Sequence, residues 1–125
     1  MISQTQAKSA YARGAMPIRT DRGTEYELFA RITHKMRAAA ARGQAGFAAL
    51  AEALHNNRQL WTMLAADVAD GDNALSKDLR ARIFYLAEFT HDYSGKVLSK
   101  GASIAPLVEI NAAMMRGLRG TGPKT

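Results

Sequence analysis

Apolar residues recur along this chain at intervals of three and four, the spacing of helices that bury one stripe. The clearest run is Phe47, Leu50, Leu54, Asn57, Trp61, Leu64 and Val68, spaced 3, 4, 3, 4, 3 and 4. It predicts a helix over about residues 44–70, packed lengthwise against neighbours at a shallow crossing angle. One amide interrupts the seam. Asn57 is there either as a buried, paired group that fixes register or as the polar member of a binding groove.

Three further helices follow from the same reasoning. The first starts near Thr20 or Thr24, either of which can cap it, and carries Glu25 and Glu27 in its early turns, where acids favour the helix dipole. Its stripe is Leu28 or Phe29, Ile32, Met36 and Ala39 or Ala40, and Gly43 stops it. A third helix begins near Ser76 after a Gly71-Asp72-Asn73 turn and ends near Ser99-Lys100-Gly101. Its seam is Leu79, Ile83, Leu86, Thr90, Tyr93 and Val97, while Phe84, Tyr85, Phe89 and Leu98 add apolar area outside that line. Gly95 within it predicts close packing or a kink. The last helix is capped by Ser103, tolerates Pro106 in its first turn, and buries Ile104, Leu107, Val108, Asn111, Met114 or Met115, and Leu118.

No β-branched run alternates with period two, so the expectation is an all-α fold, a small helical bundle of four to five helices. Residues 20–119 form the bundle domain. Residues 1–19, with a short helix around Tyr11 broken by Gly14 and Pro17, are expected as a mobile or loosely docked arm, and residues 120–125 as a disordered tail.

Composition removes several kinds of chemistry. The 125 residues include no cysteine, which excludes disulfides, thiolate nucleophiles and Cys-based zinc sites. His34, His55 and His91 sit on three different predicted helices without helical metal spacing, apart from a weak Glu88 to His91 pairing. Asp70-Gly71-Asp72-Asn73 begins like a calcium loop, but Leu75 and Ala81 occupy the positions of the required glycine and glutamate. Gly43 and Gly46 lack the Gly-Lys-Ser/Thr of a phosphate loop, and no serine stands in a nucleophile elbow. The expectation is a protein that is not an enzyme and holds no cofactor and no metal. Every apolar stretch is broken by a charge or amide, so a cytoplasmic location without membrane insertion is expected.

Charge changes the picture at the ends. Of a net +6, residues 1–42 carry eight basic and three acidic groups, residues 43–102 six and seven, and residues 103–125 three and one. The basic first helix offers Arg31, Lys35, Arg37 and Arg42 as candidate nucleic-acid contacts. No aromatic side chains are interleaved with them for base stacking.

The positive signal is a surplus of aromatic and Met side chains, which suit a groove that grips a helix: Trp61, Tyr85, Phe89, Tyr93 and the Met114-Met115 pair. Several stretches also resemble the flagellar biosynthesis regulator FlaF family. They are Phe47-Ala48-Ala49-Leu50-Ala51-Glu52-Ala53-Leu54-His55-Asn56-Asn57-Arg58-Gln59-Leu60-Trp61, Leu64-Ala65-Ala66-Asp67-Val68, Asn73-Ala74-Leu75, the run from Leu79 to Thr90, Leu107-Val108-Glu109-Ile110-Asn111 and Met115-Arg116-Gly117-Leu118. Ala10-Tyr11 and Thr24-Glu25 are similar too, whereas Gly23 stands where a charged residue is expected.

The resemblance implies a cytosolic protein needed for making and exporting flagellin, acting with FlbT, a regulator of flagellin mRNA. Flagellin and FlbT are then the expected partners, without a small-molecule substrate. A secretion chaperone for flagellin would bind through Trp61, Tyr85, Phe89, Tyr93, Asn111 and Met115, on the third and last helices with Trp61 nearby. The alternatives are a post-transcriptional regulator touching flagellin mRNA through its basic ends, and an adaptor between FlbT and flagellin.

Overall fold

A computed structural model describes residues 22–70 and 74–120. Four helices follow one another: α1 (Arg22–Ala41), α2 (Phe47–Ala69), α3 (Lys77–Lys100) and α4 (Ala105–Gly120), with a 3-10 turn at Gly43–Gly46 between the first two. The fold is an all-α bundle, as the heptad-like spacing predicts. The expected arm, the Thr20 cap, the Gly71-Asp72-Asn73 turn and residues 121–125 lie outside the described residues, and α4 runs to Gly120.

Local chemistry sets the boundaries. Ser76 caps α3 by accepting a bond from the Leu79 N–H at 3.2 Å. At the other end Gly101 adopts φ 68°, and the N–H groups of Gly101 and Ala102 bond back to Val97 and Lys96 carbonyls at 3.2 and 3.3 Å. This is the left-handed closure that glycine permits without a Cβ clash. Ser103 Oγ then accepts from the Ala105 N–H at 3.0 Å, so α4 starts with only four residues between it and α3. Between α1 and α2 the chains approach closely, since a Cβ on Gly46 would lie 2.1 Å from the Ala39 carbonyl oxygen. α3 runs unbroken through Gly95, whose bare Cα leaves room for the Arg58 guanidinium. That guanidinium donates from Nη2 and Nε to the His91 carbonyl at 2.6 and 3.1 Å, tying α2 to α3.

Two apolar clusters fill the bundle. One gathers Phe29, Leu60, Trp61, Val68, Ile83 and Ala87, with Phe29 meeting Trp61 edge to face at 5.5 Å. The other gathers Met36, Ala53, Leu54, Val97 and Leu107. Every helix places polar side chains between the clusters. Thr33 lies between Phe29 and Met36, Asn57 between Leu54 and Leu60, Thr90 and Ser94 between Ala87 and Val97, and Asn111 just after Leu107. All five are buried.

The expected stripes needed adjustment at their ends. Phe47, placed in the α2 seam by spacing, is 49% exposed, because it is the first residue of that helix and overhangs the bundle end. Leu79 is likewise exposed in the first turn of α3. On α1 the choice between Leu28 and Phe29 falls to Phe29, which is fully buried while Leu28 packs at the cluster's edge.

The helices do not close a symmetric ring. α2 packs extensively on both α1 and α3, and α4 packs on α1, but α3 and α4 meet only sparsely although four residues join them.

Candidate helix-binding seam

The six residues expected to form a partner groove separate into two groups. Trp61 and Asn111 belong to the interior, at 1% and 0% exposure, and this corrects their assignment to a surface. The indole Nε1 of Trp61 donates to Asn111 Oδ1 at 3.0 Å. Asn111 Nδ2 in turn donates to Thr33 Oγ1 at 3.0 Å and to Asn57 Oδ1 at 2.9 Å. One amide thus uses its oxygen and both amide hydrogens to join α1, α2 and α4. Of the two readings of Asn57, the buried amide holds, paired with Asn111 through Oδ1 while Nδ2 has no hydrogen-bond partner. A partner that touched Trp61 or Asn111 would have to break this network, leaving buried polar groups unmet at roughly 1–3 kcal/mol each.

Tyr85, Phe89, Tyr93 and Met115 remain at or near the surface. Phe89 and Tyr93 lie one turn apart on α3, stacked at 5.4 Å with ring planes 15° apart. The Tyr93 hydroxyl donates to the Ser103 carbonyl at 2.7 Å, which anchors the ring beside the α3–α4 connection. Tyr85, one turn earlier, is 64% exposed. Met115, Ile110, Met114 and Leu118 pack from α4 against the Phe29–Trp61 cluster, and Leu86 packs against it from α3. Met114 is one of the groove candidates of the sequence, whereas Leu86 and Ile110 join them only in the structure, since their half-burial depends on how sparsely α3 and α4 meet.

The four basic candidates also divide. All are exposed, Arg31, Lys35 and Arg37 on α1 and Arg42 just after it. Lys35 and Arg42 share a hollow with His34, Ala38, Glu52 and Asn56 between α1 and α2. Arg31, four residues before Lys35, follows the same face, whereas about 100° of turn per residue puts Arg37 on the far side of the helix. No Phe, Tyr or Trp ring lines that hollow. Among the described residues, no group of three or more His, Cys, Asp or Glu side chains could hold a metal ion, and no helix is long and apolar enough to cross a membrane.

The model of the flagellar protein FlaF family matches residues 7–118, which includes all of α1, α2 and α3 and nearly all of α4. The chain belongs to the FlaF family. Neither curated proteins nor solved structures gave a match. Family membership makes this a flagellar protein, and along its α3–α4 seam Leu86, Phe89, Tyr93, Ile110, Met114 and Met115 are half-buried.

Proposed function

We propose that this FlaF-family protein is a cytoplasmic, non-enzymatic binder that grips an amphipathic helix of a flagellar partner along the α3–α4 seam. The partner that fits best is a terminal segment of flagellin, held in a form competent for export, with an FlbT-type regulator acting on the same assembly. One observation carries this reading: consecutive helices barely meet, while Leu86, Phe89 and Tyr93 on one and Ile110, Met114 and Met115 on the other stay half-buried. A guest helix with apolar residues at i, i+3, i+4 and i+7 would cover both rows, and Met thioethers adapt to its side chains. A chaperone of this kind keeps an assembly-prone stripe out of water without any chemistry of its own.

The test is binding of purified flagellin, with FlbT probed separately, to the wild type and to Tyr85→Asp and Phe89→Asp variants. Tyr85 is mostly exposed, so that variant keeps the fold and isolates the surface. Binding is expected to weaken at least tenfold, about 1.4 kcal/mol, in both. Undiminished binding by variants of native helicity would overturn the seam. The messenger-RNA reading rests on Lys35 and Arg42 sharing one hollow, with Arg31 on the same face. It requires RNA affinity that falls steeply between low and physiological salt. Capture of flagellin only when FlbT is present would favour the adaptor.

A further inference from the structure

The central polar layer holds two groups that the bundle itself leaves unmet. Trp61 Nε1 can only donate, so it fixes Asn111 with Oδ1 toward the indole and Nδ2 toward Thr33 and Asn57. Asn57 must then present Oδ1 to Asn111, which turns its Nδ2 out of the network. That Nδ2 has no partner within the chain, and neither has Thr90 Oγ1, although both residues are 0% exposed. Arg58 bonds the His91 carbonyl and Arg80 reaches that of Val68, so α2 and α3 run antiparallel, with Asn57 level with Thr90 and Ser94. Ser94 cannot serve either group as a donor, since its Oγ donates to the Thr90 carbonyl.

Thr90 also lies beneath the seam. It stands four residues after Leu86 and three before Tyr93, so the half-buried side chains on the α3 side of the seam flank it on one helix face. A guest side chain that parts Leu86 and Tyr93 meets a hydroxyl with no bond to break, unlike the amide of Asn111. Both unmet groups can donate, and the amide nitrogen can only donate, so what they lack in common is an acceptor oxygen. A carboxylate would bring a charge among Thr33, Asn57, Thr90, Ser94 and Asn111, none of which is cationic. Resting on the reading that the seam holds a guest helix, we propose that this helix carries one neutral amide side chain, Asn or Gln, facing Thr90. Its oxygen accepts from Thr90 Oγ1 and Asn57 Nδ2. The desolvation of those two donors is already a cost of the free chain, so the guest acceptor gains its bonds against its own desolvation alone. The seam thereby selects a partner by one buried polar residue as well as by an apolar stripe, and sets the register in which the guest lies.

Purified flagellin is titrated into the full chain by calorimetry, with Thr90→Val, Thr90→Ser and Tyr85→Asp beside the wild type. Thr90→Val is expected to keep its fold and stability and yet to bind about fivefold more weakly, the scale of one lost hydrogen bond. Thr90→Ser retains the hydroxyl and is expected to bind within about twofold of the wild type. Changing each Asn and Gln of the terminal flagellin segments to Leu is expected to reveal one position that weakens binding to the wild type and has no further effect on Thr90→Val. Equal affinity of Thr90→Val and the wild type would overturn the inference, as would a flagellin scan with no such coupled position. A free Thr90→Val chain less stable than the wild type would overturn it too, by giving the hydroxyl a partner inside the bundle. Tyr85→Asp separates this failure from that of the seam. If Tyr85→Asp weakens binding while Thr90→Val does not, the seam stands and the polar selection falls; if neither does, both fall.

Discussion

The α1–α4 and α3–α4 contacts of this bundle differ in a way that chain connectivity alone would reverse. α4 follows α3 after four residues, yet it is α1, at the far end of the chain, that α4 packs against. The difference lies in polar chemistry. Across the first contact Asn111 reaches Thr33 directly, and through Asn57 and Trp61 it ties α4 to α2 as well. α3 contributes Thr90 and Ser94 to the same central layer, but neither reaches the amide network. Ser94 Oγ turns back to the Thr90 carbonyl at 2.7 Å, and Thr90 Oγ1 has no protein partner. The buried amide ties α4 to α1 and α2, while α3, held to α2 by other contacts, has no part in this network and leaves a seam against α4.

The largest expected effect follows from cutting the network at its centre. Asn111→Leu keeps the volume approximately but strands Trp61 Nε1, Thr33 Oγ1 and Asn57 Oδ1 in the interior. Each unmet buried group costs roughly 1–3 kcal/mol, and the three are not independent, so a loss of about 4 kcal/mol is expected. Urea unfolding followed by circular dichroism measures it, with the single Trp61 as a second, local probe of the transition. A loss below about 1 kcal/mol would show that Asn111 does not hold α4 against α1 and α2.

Much of this contrast is legible in the residues, and part is not. The 3-4 spacing through Leu54, Asn57, Trp61 and Val68 marks a buried seam with an amide in it, and the Ser76 and Ser103 caps and the Gly101 stop are local features that any reader of the chain can place. What spacing cannot give is the identity of a helix's neighbour. Trp61 and Asn111 stand 50 positions apart, and nothing local says that the indole meets that amide. Surplus aromatics were visible on the third helix, yet separating core from surface required knowing which flank α4 covers. Trp61, the residue most suggestive of a binding surface, is accordingly enclosed, whereas Tyr85 and Phe89 stay on the open side.

An intermediate effect separates the indole's ring from its N–H. Trp61→Phe retains an aromatic partner for Phe29 but leaves Asn111 Oδ1 without its donor and opens space beside it. A loss of about 2 kcal/mol is expected, clearly smaller than for Asn111→Leu, because the two bonds from Asn111 Nδ2 persist. If the two variants were equally destabilised, the network would act as one indivisible unit and the arithmetic of separate bonds would be wrong.

The smallest effect, and the one that sharpens the comparison most, is on the α3 side. Thr90→Val exchanges a buried hydroxyl for a methyl of nearly the same shape. Where such a hydroxyl is bonded, the change strands its partner and destabilises; where it has no protein partner, the methyl removes a desolvation cost. Thr90 is fully buried with Oγ1 unpartnered, so a change between zero and about 1 kcal/mol in favour of the folded state is expected. The same edit at Thr33, which accepts from Asn111, should instead destabilise by about 1–2 kcal/mol, through the stranded Nδ2 hydrogen. Urea midpoints of the two variants, one on each side of a single polar layer, therefore move in opposite directions. Midpoints that move together would mean that α3 is tied into the layer as firmly as α1, and the physical basis for an open α3–α4 seam would be lost.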